Sequence, residues 1–184
     1  MSTEKLIQEL QKKVENLEKG TKDQMTIVVF SGELDKLLAA LIIATGATAM
    51  DTKVKLFFTF WAIAALRDIK KKRKGKNFMS KMFGFMLPKG STKVKLSKMN
   101  MGGMGTLMMK SLMKRKNVAS LEEMFKTAGE LGVEINICEM TMNLMGLNTN
   151  EMIDYPHMNI CGVGTFLADA EESKIQLFMV GSKN

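Results

Sequence analysis

The stretch that most constrains the fold is residues 25–30, MTIVVF, in which Thr26 is the only polar side chain. A strand without a polar face is typical of a parallel sheet that is covered on both sides. Residues 33–50 then place leucines and alanines at helical spacing, residues 53–60 alternate as a second strand, and residues 61–71 have a helical pattern. This alternation predicts a parallel sheet with right-handed crossovers.

The second half of the chain continues the alternation of strands and helices. Ser120 and Glu123 have the spacing of a capping box, in which each side chain bonds the backbone N–H of the other residue. Residues 133–137 alternate as a strand, residues 163–172 predict a closely packed helix, and residues 175–180 predict a final buried strand. About five strands with helices between them predict an α/β, flavodoxin-like fold: one mostly parallel sheet with helices on both faces.

The first 20 residues form a separate pattern. Apolar residues recur there at helical spacing, and a glycine stands where a helix would end: Ile7, Leu10, Val14, Leu17 and Gly20. Fewer than three heptads are too few for an independent coiled coil. We therefore expect residues 1–20 to be a helical extension of a domain over residues 25–180. The pattern fits equally a helix that packs on this domain and one that self-associates.

The net charge of +8 is concentrated in one segment. Residues 67–116 contain 16 Lys or Arg and one acid, Asp68, whereas the rest of the chain has 11 basic and 18 acidic residues. Nine of the 19 methionines lie in this segment, among glycines and lysines. We expect a basic, Met-rich insert with two short amphipathic helices, the second over residues 106–114. A mobile loop should join them, with a flexible glycine hinge at residues 101–105.

Several functions fit such an insert. Lysine runs usually form a solvated face, and methionine usually fills cores and interfaces. The insert also fits a docking groove for an acidic protein, or a face that touches the anionic lipid of a membrane surface. Nucleic acid is a weaker candidate because few aromatic side chains stand among the lysines to stack on bases. The methionine spacing matches no recognisable copper(I) site.

The remaining composition excludes several classes of protein. Cys138 and Cys161 lie 23 positions apart, a spacing that fits neither a zinc site nor a disulfide scaffold. The N-terminus is charged rather than apolar, and the longest apolar runs fall short of the roughly 20 residues that span a bilayer. We expect a cytoplasmic protein in a reducing compartment. No cofactor motif, metal-ligand pattern or phosphate loop is found in the sequence.

Cys138 is the strongest candidate for a reactive residue. It follows the strand at residues 133–137, and a helical pattern closed by Gly146 begins directly after it. Open α/β sheets place their chemistry at the carboxyl ends of strands, and a helix N-terminus favours the thiolate. Glu139, the next residue, opposes the thiolate unless its carboxylate points away. The alternative is a buried structural cysteine, since free cysteine is among the most buried residue types.

Four further residues are weaker candidates. Consecutive parallel strands would bring Cys161 beside Cys138, where it could act as a resolving thiol, although core packing is the favoured interpretation. Ser31 and Gly32 follow the first strand, where they can bind an anion at a helix N-terminus. His157, the single histidine, lies in a proline-containing loop and is better explained as a surface residue than as a catalytic base.

Five motifs together resemble a known family: VVFSGELDK, FFTFWAIAALR, SKMNMGGMGTLMMK, ICEMTMNLMG and GVGTFLADA. In this order they are similar to the DsrE/DsrF-like sulfur-relay proteins, and most similar to their larger branch, which is often labelled peroxiredoxin-like. The resemblance covers roughly residues 25–180, nearly everything outside the N-terminal helix. It implies a flavodoxin-like fold that self-associates into a homo-oligomer.

The resemblance also implies a function. It implies that sulfane sulfur is carried as a cysteine persulfide and exchanged with small carriers such as TusA or rhodanese-like proteins. The cysteine of the ICEMTMNLMG motif is the candidate carrier, which here is Cys138, whereas Cys161 is not matched to a family position. The resemblance therefore predicts a sulfur carrier or sulfurtransferase with its persulfide or thiosulfonate on Cys138.

Two other functions remain open. The chain can be a non-enzymatic oligomeric adaptor that docks its basic insert on a membrane or an acidic protein, with the cysteine merely buried. A thiol peroxidase is the weakest alternative, since no threonine or proline precedes Cys138 in a peroxide-activating pattern. No base, metal site or cofactor motif stands near Cys138 in the sequence, so we expect sulfur exchange with a partner rather than self-sufficient catalysis.

Overall fold

The computed structural model describes residues 3–20, 22–71 and 87–181 of the chain. The strands are β1 (Lys22–Val29), β2 (Lys53–Phe58), β3 (Glu134–Cys138), β4 (Met158–Cys161) and β5 (Ser173–Met179). The α-helices are α1 (Thr3–Gly20), α2 (Leu34–Thr48), α3 (Met104–Arg115), α4 (Leu121–Glu130), α5 (Glu139–Met145) and α6 (Val163–Glu171). Short 3₁₀ helices occupy Phe60–Leu66, Ser91–Lys93, Met101–Gly103 and Thr149–Glu151.

The five strands are all parallel and form one sheet in the order β4-β3-β2-β1-β5. The predicted α/β architecture, with a parallel sheet of about five strands, is confirmed. The chain adds β2, β3 and β4 outward from one side of β1, and then returns to place β5 on the other side. The winding therefore reverses between β1 and β5, which is the position where open α/β sheets form ligand crevices.

One face of the sheet forms the main core. The parallel register keeps alternate residues in phase, so that Ile27 lies beside Leu56, and Leu56 beside Ile135. All three residues are fully buried. Helix α2 packs on this face with α4 beside it, and Phe125 of α4 contacts Phe58 of β2 with ring centroids 6.2 Å apart. Each large side chain buried here stabilises the fold by about 1.5–3 kcal/mol.

The opposite face carries more polar residues, and helix α6 packs on it. Phe166 of α6 stacks on Phe57 of β2 with ring centroids 4.8 Å apart. Farther out, Phe178 of β5 is 62% exposed and Leu167 of α6 is 57% exposed. The predictions of a buried final strand and of a closely packed helix at residues 163–172 are therefore wrong. Strand β5 is an edge strand, and within the described residues its outer face is left uncovered.

The helix predicted at residues 61–71 is shorter and tighter than its pattern indicates. It is a 3₁₀ helix over Phe60–Leu66, and the chain leaves it at Arg67, which forms a β-bridge with Met152. Arg67 and Glu151 form an ion pair with Nη2 and Oε2 3.5 Å apart, and both side chains are only 4% exposed. This contact between distant residues ends the helical segment, and no local sequence pattern reveals it.

The capping box predicted at the start of α4 is confirmed. The backbone N–H of Ser120 donates to Glu123 Oε2 at 2.7 Å, and the N–H of Glu123 donates to Ser120 Oγ at 3.3 Å. These two bonds satisfy donors at the first turn of the helix, which have no partner within the helix itself.

The described part of the basic insert is anchored to the domain. The N–H of Leu34 donates to the carbonyl of Lys95 at 2.8 Å. Ser97 donates to the Asp35 carboxylate through its N–H at 2.8 Å and its hydroxyl at 2.6 Å. The second predicted helix is confirmed as α3 and is slightly longer than expected. The remainder of that prediction, a first helix and a mobile loop, falls partly on residues 72–86, outside the described residues.

The glycines at residues 101–105, predicted as a flexible hinge, form a tight turn before α3. Gly102 and Gly103 have φ angles of 68° and 106°, which favour glycine. A Cβ atom on Gly105 would lie 1.8 Å from the carbonyl oxygen of Met99. The close approach of two backbone segments therefore requires the third glycine.

Helix α1 confirms the helical pattern at the N-terminus. Its described side chains, residues 3–14, are all exposed, including the apolar Ile7, Leu10 and Val14. The division of the chain into an extension and a domain stays a prediction. Across the described ranges, we find no helix with the length and apolar character needed to cross a membrane.

Candidate functional site

Cys138 lies at the junction of β3 and α5, where the sequence predicted it. It is the last residue of β3 and the N-cap residue of α5, with φ −65° and ψ 112°. The residue is only 4% exposed. A strand that leads directly into a helix brings the unpaired N–H groups of the first helical turn close to its last residue. The thiol of Cys138 therefore lies among backbone donors.

Hydrogen bonds lower the pKa of Cys138 below its ordinary value although the thiol is buried. Burial by itself raises this pKa, because a low dielectric disfavours the charged form. Interactions with the side chain and backbone of Thr141, the side chain of Thr59 and the backbone N–H of Met140 favour the charged form, and together they more than offset the effect of burial. The thiolate, which is the nucleophilic form, is thus favoured.

Thr59 and Thr141 form a buried pair that sequence reasoning missed. Their hydroxyl oxygens are 3.0 Å apart. Thr59 follows β2, the strand beside β3, so its contact with Cys138 depends on the order of strands in the sheet. The next residue, Phe60, has a φ of 46°, a strained value that is found preferentially at functional sites. The one local signal was the position of Thr141, three residues after Cys138.

Cys161 lies directly opposite Cys138 on the neighbouring strand, β4. Paired residues of a parallel ladder share a face, and their strands lie about 4.8 Å apart, which is within the Cα separation that a disulfide needs. Both cysteines are free thiols in the structure. Burial raises the pKa of Cys161, and negative charge at Asp169 and Cys138 raises it further. The two thiols thus shift in opposite directions, and the role of Cys161 stays a prediction.

Ser31 and Gly32 lie just before α2, at the point where the winding of the sheet reverses. The Ser31 hydroxyl donates to Glu33 Oε2 at 2.8 Å, so a carboxylate of the chain itself accepts this bond. A cleft of about 1160 Å³ opens beside them, and three lysines contribute to its lining: Lys93, Lys95 and Lys98. Strand β2 separates this region from Cys138 on β3. Anion binding by Ser31 and Gly32 stays a prediction.

His157 and Glu139 are both exposed and lie outside the cluster of donors around Cys138. His157 is in the turn before β4, where its carbonyl accepts the N–H of Ile135 at 2.8 Å, and this agrees with its prediction as a surface residue. Water screens the exposed carboxylate of Glu139. In the parts of the chain that the structure describes, no group of three or more His, Cys, Asp or Glu is placed to hold a metal ion.

Known proteins match this chain over most of its length. The model of the DsrE/DsrF/DrsH-like family matches residues 21–178. The uncharacterized protein YrkE of Bacillus subtilis (strain 168) is 47% identical over 154 residues, which cover 84% of this chain and 95% of that protein. The sulfur carrier protein DsrE2 of Allochromatium vinosum is 33% identical over 160 residues, which cover 85% of this chain and 98% of that protein.

A solved structure, that of the ychN protein from E. coli, has the same fold. It matches with a TM-score of 0.51 at 12% sequence identity, and the match covers 84% of this chain and 97% of that one. At this identity the likeness concerns the fold alone. The family match extends over both cysteines and nearly the whole sheet. This chain therefore belongs to the DsrE/DsrF/DrsH-like family.

Proposed function

We propose that this protein is a cytoplasmic sulfur-relay protein that carries sulfane sulfur on Cys138, as a persulfide or a thiosulfonate. Membership of the family supports sulfur relay in general, since one relative is named a sulfur carrier. The observation that carries the residue assignment is the set of hydrogen-bond donors around the Cys138 sulfur, which lowers its pKa. A thiolate at the carboxyl edge of a parallel sheet is suited to attack sulfur.

The proposed chemistry is exchange of one sulfur atom. The Cys138 thiolate attacks the outer sulfur of a donor persulfide, the donor S–S bond breaks, and the donor leaves as a thiolate. Delivery is the same step with an acceptor thiolate as nucleophile and Cys138 as the leaving group. Neither step needs an external oxidant or reductant. A lowered pKa raises the thiolate fraction for loading and makes Cys138 a better leaving group for delivery.

The partners we propose are small sulfur carriers of the TusA-like or rhodanese-like kind. Because Cys138 is 4% exposed, a partner has to reach a covered sulfur. Met140 and Leu144 are 61% and 63% exposed and supply apolar surface on α5, the helix that begins at Cys138. A partner protein that binds Met140 and Leu144 can move these side chains aside and bring its own sulfur to Cys138. With a donor and an acceptor both present, the exchange amounts to sulfurtransferase activity.

Loading by a small sulfur donor tests this proposal. After incubation with tetrathionate or polysulfide, mass spectrometry of the intact protein and its peptides should locate a sulfur-containing adduct on Cys138. Cys161→Ser is the matched control and should load like the wild type, whereas Cys138→Ser should lose the adduct. If Cys138→Ser loads as well as the wild type, Cys138 is not the carrier.

A non-enzymatic adaptor is the second candidate, and the surface of α3 favours it. Large apolar side chains on α3 and the turn before it are exposed: Met101, Met104, Leu107, Met108 and Leu112. Residues 87–116 also contain eight Lys or Arg and no acid. This combination fits a membrane surface or an acidic protein. Titration of the native protein with a thiol reagent separates the two functions: two unreactive thiols favour the adaptor, and a rapidly reacting Cys138 favours the relay.

A further inference from the structure

A buried carboxylate lies on the same face of the sheet as the two cysteines. Asp169, on α6, is 8% exposed. Its carboxylate forms an ion pair with Lys55 of β2, and it accepts a hydrogen bond from the side chain of Asn136 of β3 at 3.4 Å. Lys55 is shared, because Glu134 Oε2 lies 3.9 Å from its amine. Lys55 therefore neutralises the carboxylate of Asp169 only in part, because it also pairs with Glu134.

The backbone of Asp169 is fixed from the other half of the sheet. Its carbonyl oxygen accepts hydrogen bonds from the side chains of Gln24 at 2.9 Å and Ser173 at 2.6 Å, on β1 and β5. The hydroxyl of Thr26 approaches the same oxygen at 3.4 Å. Contacts with β1, β2, β3 and β5 thus determine where this carboxylate lies.

The register of the sheet places Asp169 close to the cysteine pair. Its hydrogen-bond partner Asn136 is paired with Asn159 across β3 and β4, two residues before Cys138 and Cys161. Two residues along a strand correspond to about 6.6 Å on the same face. The carboxylate of Asp169 therefore lies roughly one side-chain repeat from the two thiols.

Several charged groups lie on the elements around Cys161: Lys53, Lys55, Glu134, Glu139, Asp169, Glu171 and Glu172. Glu139 and Glu171 are exposed, Lys53 pairs with Glu134, and Glu172 pairs with Lys22. Burial raises the pKa of Cys161, and Asp169 and Cys138 raise it further, against an opposing effect of Lys55. Asp169 and Lys55 are therefore the two fixed charges that act on this thiol.

A thiolate at Cys161 would react with a persulfide on Cys138. It could attack the Cys138 sulfur, form a Cys138–Cys161 disulfide and expel the outer sulfur as hydrosulfide. In that step the two cysteine sulfurs end oxidised and the carried sulfur ends reduced, so the reaction balances without another reactant. The carried sulfur would be lost before any acceptor arrived.

We propose that Asp169 protects a persulfide on Cys138 by keeping the neighbouring Cys161 in its neutral thiol form. This inference rests on the proposed function, and it assigns Asp169 as a positioning residue that acts through Cys161. Lys55 has the opposite effect, because its positive charge stabilises the Cys161 thiolate. The net charge of the Asp169–Lys55 pair therefore determines how strongly Cys161 is kept as a thiol. The carrier then keeps its sulfur until a partner thiolate attacks.

The first experiment measures Cys161 alone and needs no sulfur donor. In a Cys138→Ser background, the rate of iodoacetamide labelling of Cys161 is followed against pH for Asp169→Asn and Lys55→Gln. Asp169→Asn should move the midpoint down by about 0.5–1 pH unit, giving about 3–10-fold faster labelling on the rising limb, and Lys55→Gln should move it up. General loosening of the fold would speed labelling in both variants. An unchanged or raised midpoint in Asp169→Asn overturns the proposal.

The second experiment measures loss of the carried sulfur. Protein with both cysteines is loaded with polysulfide, desalted, and assayed over time for released sulfide and for the intramolecular disulfide. Asp169→Asn should release sulfide several-fold faster than the wild type, and Asp169→Asn combined with Cys161→Ser should return to the wild-type rate or below. Equal release by the wild type and Asp169→Asn overturns the protective role. If the wild type does not load at all, the proposed function fails, and the labelling profiles still decide whether Asp169 restrains Cys161.

Discussion

Thr141 lowers the pKa of Cys138 through both its hydroxyl and its backbone N–H. The substitution Thr141→Val removes the first and keeps the shape of the side chain. Because a hydrogen bond to a charged group contributes about 1.5–3 kcal/mol, its loss should destabilise the thiolate, and the pKa of Cys138 should rise. The pH profile of iodoacetamide labelling in a Cys161→Ser background measures this shift, and labelling at neutral pH should slow accordingly.

Thr127, an exposed threonine on α4, provides the control for this substitution. Thr127→Val removes a hydroxyl far from the site and should leave the labelling profile where it is. A Thr141→Val profile that coincides with that of the wild type would show that the hydroxyl does not stabilise the thiolate.

The residues of the site differ in how well the sequence predicts them. Cys138 has a local signal, since a strand ends and a helix begins at that residue. Thr59 and Asp169 have none, because Thr59 comes from the residue after β2, where it contacts Thr141, and Asp169 comes from α6, where it contacts Asn136. Their contacts depend on the order of strands and on which face the helix covers. Sequence patterns of helices and strands do not contain that information.

Among the elements, the turn that leads into α3 is sensitive to the addition of a single methyl group. Gly105→Ala would place a Cβ atom 1.8 Å from the carbonyl oxygen of Met99, so the two segments have to separate. Overpacking of this kind costs about 1–3 kcal/mol of unfolding free energy. Urea unfolding followed by circular dichroism should show the lower midpoint.

Gly46 in α2 is the matched control for this substitution. A Cβ atom there would meet nothing within 4 Å, and alanine has a higher helix propensity than glycine by about 0.5–1 kcal/mol. Gly46→Ala should therefore leave stability unchanged or raise it slightly. Equal stability of the two variants would mean that the backbone contact at Gly105 does not form.

The elements also show where sequence patterns succeed and fail. The apolar run at β1 was correctly predicted as a buried strand of a parallel sheet, because a strand buried on both faces has no polar alternation. The run at β5 looks similar, yet β5 is an edge strand with Phe178 exposed. The apolar composition of a strand therefore does not show whether the strand lies inside the sheet or at its edge. The fold class could be predicted, and the position of β5 in the sheet could not.

For the whole molecule, this exposed apolar surface predicts self-association. Large apolar residues of α6, of the same face of β5 and of the residue after it are exposed: Val163, Leu167, Phe178 and Val180. Contiguous apolar surface on a soluble protein usually marks an interaction site, and a second copy of the chain is the partner that the family resemblance implies. Phe178→Lys should shift the protein toward the monomer in sedimentation velocity experiments over a range of concentrations.

Leu131, which is 43% exposed at the end of α4, gives the corresponding control. It lies on the helix that packs over the opposite face of the sheet, so Leu131→Lys should leave the sedimentation profile of the wild type unchanged. If the wild type is a monomer at every concentration, or if both variants sediment as it does, the surface around Phe178 is not a contact between copies.

The covering of Cys138 has a kinetic consequence for any reagent that reacts with it. A residue that is 4% exposed reacts mainly when its surroundings open. At low reagent concentration the observed rate is the intrinsic rate multiplied by the open fraction. At high concentration it reaches a plateau equal to the opening rate. The lifetime of a stored sulfur among competing small thiols is then set by motion of the protein, and a partner that holds the site open removes that limit.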